Sequence, residues 1–301
     1  MEPTFILFHY HNNMKRITLL FCCCSLLAAG QDSVSVRTTP LRDNLYFLDC
    51  INGEGGGNVA ASIGDEGTLL VDDMYAVMSH KLEAAVRLVK DKPIRMILNT
   101  HFHGDHIEGN KSFRASTIIV GHDNVYRRLY GRGAGAGTDM TPAITFSDSL
   151  TIHFNGEEIK MIHFPNSHTD GDAIVYFTRG RVLHLGDMFF FEMFPAVYTE
   201  GGGDIRQLIV SLDKILARFP SDTQVIPGHG RIATMHDLSD YVTMLKETTG
   251  IVEAGMRAGK TLEQMRKEKV LAKYDALGQG GAQTTDEYLA MLVKLLSPKK
   301  G

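Results

Sequence analysis

From residue 34 to 72 the chain alternates short runs of apolar and β-branched residues with Gly, Asn and Asp clusters. Runs of that length and composition, punctuated by turn formers, predict strands at 34–39, 45–49, 58–63 and 68–72. The spacing then changes. Leu82, Ala85, Val86 and Val89 recur at helical intervals, predicting a helix over 79–89, and 94–100 returns to strand. A second series follows, with strands at 117–120, 144–146, 150–154, 159–164, 173–177, 182–185 and 224–226, and helices at 124–129 and 204–219. Beyond Arg231 the pattern turns helical, at 238–257, 262–271 and 286–296. Strand-then-helix order occurring twice predicts mixed sheets covered on their outer faces by helices, an α/β sandwich on which the C-terminal helices pack.

The N-terminus is patterned differently. Met14-Lys15-Arg16 precedes an apolar run over 17–29, and Ala28-Ala29-Gly30 leads into polar Gln31 and Asp32. A cationic start, a short apolar stretch and a small-residue cleavage site describe a secretory signal peptide, so the expected location is periplasmic or secreted. The run is shorter than the ~20 residues that span a bilayer, and no anchor is expected after cleavage. Residues 1–13 lie upstream of that pattern, which a start assigned too early explains. The expected division is residues 1–30 as extension and signal, 31–235 as the sandwich domain, and 236–301 as a helical extension packed on it. Cys22, Cys23 and Cys24 fall in the apolar run, leaving Cys50 alone in the mature chain and no intramolecular disulfide.

Composition narrows the class. With 301 residues, 44% hydrophobic, the chain can bury a large core. Charged residues are 22% and the net charge is −4, so the basic stripe that nucleic-acid binding requires is missing. A small-molecule substrate is expected instead. Glycine-rich stretches at 53–57, 131–137 and 201–203 lack a phosphate-binding fingerprint and read as loops. The aromatic segment 189–198 and the glycines at 201–203 read either as lining of a substrate cleft or as turns and core aromatics.

The chemistry is concentrated just after the strand at 94–100. His101, His103, Asp105 and His106 occupy six consecutive positions there. Neutral imidazole and carboxylate suit zinc and related divalent ions, and ligands gather where strands end. Later loops offer His168 in Asn-Ser-His-Thr-Asp-Gly-Asp, Asp187 in Leu-Gly-Asp-Met and His229 in Pro-Gly-His-Gly. Seven donors are about what two ions need while leaving room for water. The remaining histidines, among them His80, His122, His153 and His236, lack that context, whereas His163 and His184 lie near the inferred site.

His-x-His-x-Asp-His followed by a distant His, Asp and His resembles the metallo-β-lactamase superfamily, over roughly 34–230. The resemblance implies a four-layer αβ/βα sandwich with two Zn²⁺ at one edge, or iron in some relatives. It assigns His101, His103 and His168 to one ion, Asp105, His106 and His229 to the other, and Asp187 to both. Asp72, which ends the strand at 68–72, matches the family's earlier acidic motif, with a supporting role toward a ligand imidazole. Asp105 is the expected catalytic proton handler.

Two divalent ions ~3.5–4 Å apart hold a water whose pKa falls to ~7, so the expected nucleophile is a metal-bridging hydroxide. Asp187 stands where the best-known zinc β-lactamases place a cysteine or lack a carboxylate bridge, and resembles instead the thioester, lactone and phosphodiester hydrolases. The signal favours ester, lactone or β-lactam over cytosolic substrates. Two alternatives are an iron-dependent oxidoreductase resembling the persulfide dioxygenases, and a non-catalytic binding protein that keeps the fold.

Overall fold

Period-2 alternation sorts the apolar residues of the strands between two cores. In β4 (Gly67–Val71), Leu69 and Val71 face the second sheet, whereas Leu70 faces a helix on the other side. The computed structural model describes residues 33–131 and 138–298. The expected signal peptide, its three cysteines and nearly all of the 131–137 stretch lie outside the described residues.

One sheet has seven strands in sequence order: β1 (Ser35–Pro40), β2 (Leu45–Ile51), β3 (Val59–Gly64), β4, β5 (Ile94–Leu98), β6 (Ile118–His122) and β7 (Ile144–Phe146). Its first four strands are antiparallel, and β4 to β7 run parallel. The other sheet is ordered β13-β12-β11-β10-β9-β8, with β8 (Ser149–Phe154), β9 (Glu157–His163), β10 (Ala173–Phe177), β11 (Val182–His184), β12 (Gln224–Ile226) and β13 (Ala233–Thr234). Only β11 and β12 pair in parallel there.

Leu69, Val71 and Leu98 of the first sheet meet Met161, Val175 and Phe177 of the second, and this contact is the central core. On the outer face of the first sheet, Leu70 and Ile97 pack on Leu82 and Val86 of α1 (Ser79–Val89). Three further helices complete the first half, α2 (Gly104–Ile107), α3 (Asn110–Phe113) and α4 (Asp123–Tyr130), and α5 (Ile205–Arg218) opens the second. The outer face of the second sheet, with Ile174, Leu183 and Val225, packs on α5, on α6 (Met235–Arg257) and on α8 (Thr285–Leu296), with α7 (Leu262–Lys267) beside them. Helix, sheet, sheet, helix is therefore the layer order, as the alternation predicted. No helix among the described residues is long and apolar enough to cross a membrane.

Where element ends differ from expectation, side-chain hydrogen bonds decide. The strand expected over 94–100 stops at Leu98, because the Thr100 amide turns away to the Asp72 carboxylate. Helix α6 starts three residues early, since Thr234 and Asp237 form a reciprocal capping box ahead of Met235. The helix expected over 262–271 ends at Lys267, and Lys269 takes a positive φ of 51° so that Leu271 can turn into the core. Helices α2 and α3 are single turns that show no periodicity.

Phe177 is fully buried between the sheets. Truncating it to alanine opens a cavity at the centre of the sandwich, and Phe177→Ala is expected to cost about 3–5 kcal/mol by urea denaturation.

Candidate metal centre

All the expected donors leave strand ends on one edge of the sandwich. Asp72 follows β4, the 101–106 cluster follows β5, His168 lies between β9 and β10, Asp187 follows β11 and His229 follows β12. Parallel strands and short turns bring these ends together even though the first and last donors are far apart in sequence.

Two overlapping groups result. The ligand atoms of His101, His103, His168 and Asp187 lie within 4.8 Å of one another, as do those of Asp105, His106, Asp187 and His229. Asp187 belongs to both. Its Oδ2 lies 3.7 Å from His101 Nε2 and 3.4 Å from His168 Nε2, and its Oδ1 lies 3.1 Å from His106 Nε2 and 3.4 Å from His229 Nε2. His103 Nδ1 approaches His168 Nε2 to 2.9 Å, and Asp105 Oδ2 approaches His229 Nε2 to 3.2 Å.

The outer hydrogen bonds aim the rings. His106 donates from Nδ1 to Asp72 Oδ2 at 2.8 Å, which leaves Nε2 facing the cluster. Asp72 is fully buried, sits at a positive φ of 64°, and also accepts from the Thr100 amide and hydroxyl at 2.8 Å each. With its proton committed to Asp72, the Thr100 hydroxyl accepts from His101 Nδ1 at 3.0 Å, and His101 Nε2 likewise faces inward. His168 donates from Nδ1 to the Ala196 carbonyl. Three imidazoles thus have their tautomer fixed from behind.

The loops close around these rings without room to spare. A Cβ on Gly57 would sit 2.1 Å from the His106 ring, and one on Gly228 would sit 2.0 Å from Asp187 Oδ1. Those two glycines let the backbone approach the donors closely.

Charge at the centre is strongly shaped by burial. Burial first, and then the neighbouring imidazole of His106, holds His101 well below the ordinary histidine range. Burial likewise lowers His168 to about 4. Burial would raise Asp187, but His106, His229 and His101 outweigh it and keep the carboxyl well below its usual range. Asp105 is lowered in the same way, against burial, chiefly by His106 and His229. For His106 and His229 burial pulls down and the carboxylates prevail, lifting His229 to about 9. Buried carboxylates of this kind demand cationic partners.

These residues fit divalent cations. Buried His101 Nε2 and Asp187 Oδ1 face the cluster without a hydrogen-bond partner, and the donor set is mixed imidazole and carboxylate, suited to zinc or iron. A cleft of about 590 Å³ opens over His103, Asp105, His168, Asp187 and His229. Phe190, Met193, Ala196 and Tyr198 form one wall, whereas Phe189, Phe191 and Phe194 of the same segment are buried in the core. Phe190 stacks on His229 with ring centroids 5.2 Å apart. Glycines of the 53–57 stretch form another wall, and Ala282 joins from the segment before α8.

Several supporting residues carried no sequence signal of the usual kind. Asp172 accepts from the His168 amide at 2.6 Å, from the Thr169 amide at 2.9 Å and from the Thr169 hydroxyl, and so shapes the His168 turn. Its place four residues after His168 in a Thr-Asp-Gly-Asp turn is the signal that was present. Arg128 forks onto Asp170 at 2.6 and 2.8 Å and donates to the Glu200 carbonyl at 3.0 Å, clamping two site loops to α4. Asn58 bridges β3 to the His229 turn through the Pro227 and Gly230 carbonyls at 2.9 and 2.8 Å. His184 accepts from the Gly186 amide and donates to the Asn58 carbonyl, steadying the Asp187 turn without facing the cluster. His163 packs face to face with His122, centroids 3.6 Å apart, and donates from Nδ1 to the Asp172 carbonyl at 2.9 Å, behind the His168 turn.

Comparison with known proteins agrees with this geometry. A linear primary-alkylsulfatase from a Pseudomonas sp. is 30% identical over 265 residues, covering 69% of this chain and 50% of the relative. The metallo-beta-lactamase type 2 of Bacteroides fragilis is 23% identical over 209 residues, covering 66% and 80%. A hydroxyacylglutathione hydrolase from a Polaromonas sp. is 30% identical over 159 residues, covering 52% and 56%. The chain thus spans about half the length of the alkylsulfatase and of the hydroxyacylglutathione hydrolase. Among solved structures, a metallo-beta-lactamase from Pontibacter korlensis superposes with a TM-score of 0.61 at 18% identity, covering 70% of this chain and 99% of that one, a likeness of fold. The profile of the metallo-beta-lactamase superfamily matches residues 53–229, more than half of the sequence and the whole run from the glycine-rich loop to the last donor, and the chain belongs to that superfamily.

Proposed function

We propose that this chain is an exported hydrolase carrying two zinc ions that cleaves a small carbonyl substrate, an ester, a lactone or a β-lactam. The observation that carries the reading is the convergence of seven donors into two groups sharing Asp187. Export rests on the sequence of residues 14–31. When bound, paired divalent ions would lower the pKa of a water and polarise the scissile group.

His101, His103 and His168 would hold one ion, Asp105, His106 and His229 the other, with Asp187 reaching both. Hydrolysis forms a bond from water oxygen to the carbonyl carbon and breaks the bond to the leaving group, so a proton must leave the attacking water. Asp105 is placed to receive it. Its carboxylate is the more exposed of the two in the cluster, at 21% against 5% for Asp187, and lines the cleft. Phe190 and the 193–198 wall keep bulk water from one side of that cleft.

A second reading, hydrolysis of a sulfate ester, is favoured by the likeness to the alkylsulfatase. A screen of the mature protein on p-nitrophenyl acetate, γ-lactones, nitrocefin, p-nitrophenyl sulfate and dodecyl sulfate decides between them, with metal content measured on protein purified without added metal. Turnover of a carbonyl substrate with two zinc ions per chain is the expected result. Iron without zinc, or turnover of sulfate esters alone, rejects it.

Asp105→Asn is expected to lower kcat by roughly 10²–10⁴-fold with an unchanged circular dichroism spectrum. A variant with the wild-type rate removes Asp105 from the reaction. Asp72→Ala deletes the acceptor behind His106, and zinc affinity measured by competition with a chelator is expected to fall about 10–100-fold.

A further inference from the structure

The cleft over the donors does not end at Tyr198. Tyr198 and Ala282 also line a second groove of about 360 Å³ that runs along α8, with Val197, Ala290, Met291 and Leu295 as its walls. The two cavities therefore share a wall, one holding the candidate metal donors and the other built from the C-terminal helix, which lies outside the 53–229 family match.

Polar groups bordering this groove are engaged elsewhere. The buried Gln283 donates its amide N–H to the Pro195 carbonyl at 2.7 Å. Glu287 is occupied in capping α8, accepting from the Thr284 amide and hydroxyl at 2.8 Å each. Lys294 pairs with Glu200 at 2.7 Å. Methylene groups entering the groove would bury apolar surface against Val197, Ala290, Met291 and Leu295.

We propose that this groove is the subsite for an unbranched apolar tail of the substrate, so that the hydrolase acts on esters with a medium or long alkyl or acyl chain. The inference rests on the ester-hydrolase reading above and adds the chemistry of the group remote from the scissile bond. The tail lies along α8 past Ala282 and Ala290, and the carbonyl is thereby presented to the donors at the other end. Two small residues at these positions leave the space that larger side chains would fill.

A chain-length series of p-nitrophenyl esters from acetate to dodecanoate, each below its micellar concentration, tests this. Each methylene entering the groove is expected to raise kcat/KM about fourfold until the groove is full. Ala290→Phe is expected to flatten that dependence, lowering the ratio of decanoate to butyrate turnover at least tenfold. A calorimetric titration with dodecanoate and with butyrate gives a readout independent of turnover. Wild-type protein is expected to bind dodecanoate at least tenfold more tightly, with the preference lost in Ala290→Phe.

Turnover of short esters with no chain-length dependence overturns the subsite and leaves the hydrolase reading standing. Failure to cleave any ester removes the ester from the hydrolase reading, and the titration then decides the groove by itself. Equal binding of dodecanoate and butyrate by wild-type protein rejects it.

Discussion

Buried negative charge at the seam between two sheets is the constraint that organises this molecule. Asp187 and Asp72 are both buried, one in the donor cluster and one directly behind it. Neither could remain there without imidazoles in contact, and the fold supplies five of them around Asp187 and Asp105. The rings in turn cannot rotate freely, because His101, His106 and His168 are tied through Nδ1 to Thr100, Asp72 and Ala196. Thr100 and Asp72 form one small network at the end of the parallel strands, so strand geometry is transmitted to the donors over two hydrogen bonds.

The layered architecture explains why such a site is affordable. Apolar packing between the sheets and outside each sheet holds the strand ends on both faces. Loops leaving those ends can then be short and strained. Asp72 and Met74 take positive φ without being glycine, and Gly57 and Gly228 admit no side chain because the donors press against them. Strain of this kind persists where the surrounding packing over-determines it. Stability in the sandwich and precision in the site are thus two consequences of the same packing.

The cleft is bordered by parts of the chain that the 53–229 family match does not reach. The wall at 190–198 packs beneath α8, with Phe194 stacked on Tyr288 at 4.2 Å between centroids and the Val197 amide donating to Met291 Sδ at 3.2 Å. The C-terminal helices consequently do more than cover the second sheet. They hold the cleft wall in place.

The donors and the layer order were legible in the sequence because each is local. Three histidines and a carboxylate in six residues need no partner to be noticed, and alternation in β4 or β10 assigns faces residue by residue. Asp72 was visible only through the family likeness, and the three hydrogen bonds that define its role come from residues 28 and 34 positions away. Asp172, Arg128 and Asn58 are ordinary polar residues whose work depends on which loop folds against them. The same holds for element ends, where Thr100 leaves its strand for a carboxylate on another. Sequence by itself determined the donor types, the periodicity and so a layered α/β sandwich, since these follow from side-chain chemistry and backbone repeat, and the family resemblance implied its αβ/βα order. Only the tertiary structure decided which imidazole nitrogen faces the centre and that the segment before α8 borders the cleft, because each is a distance between atoms that the chain brings together only on folding.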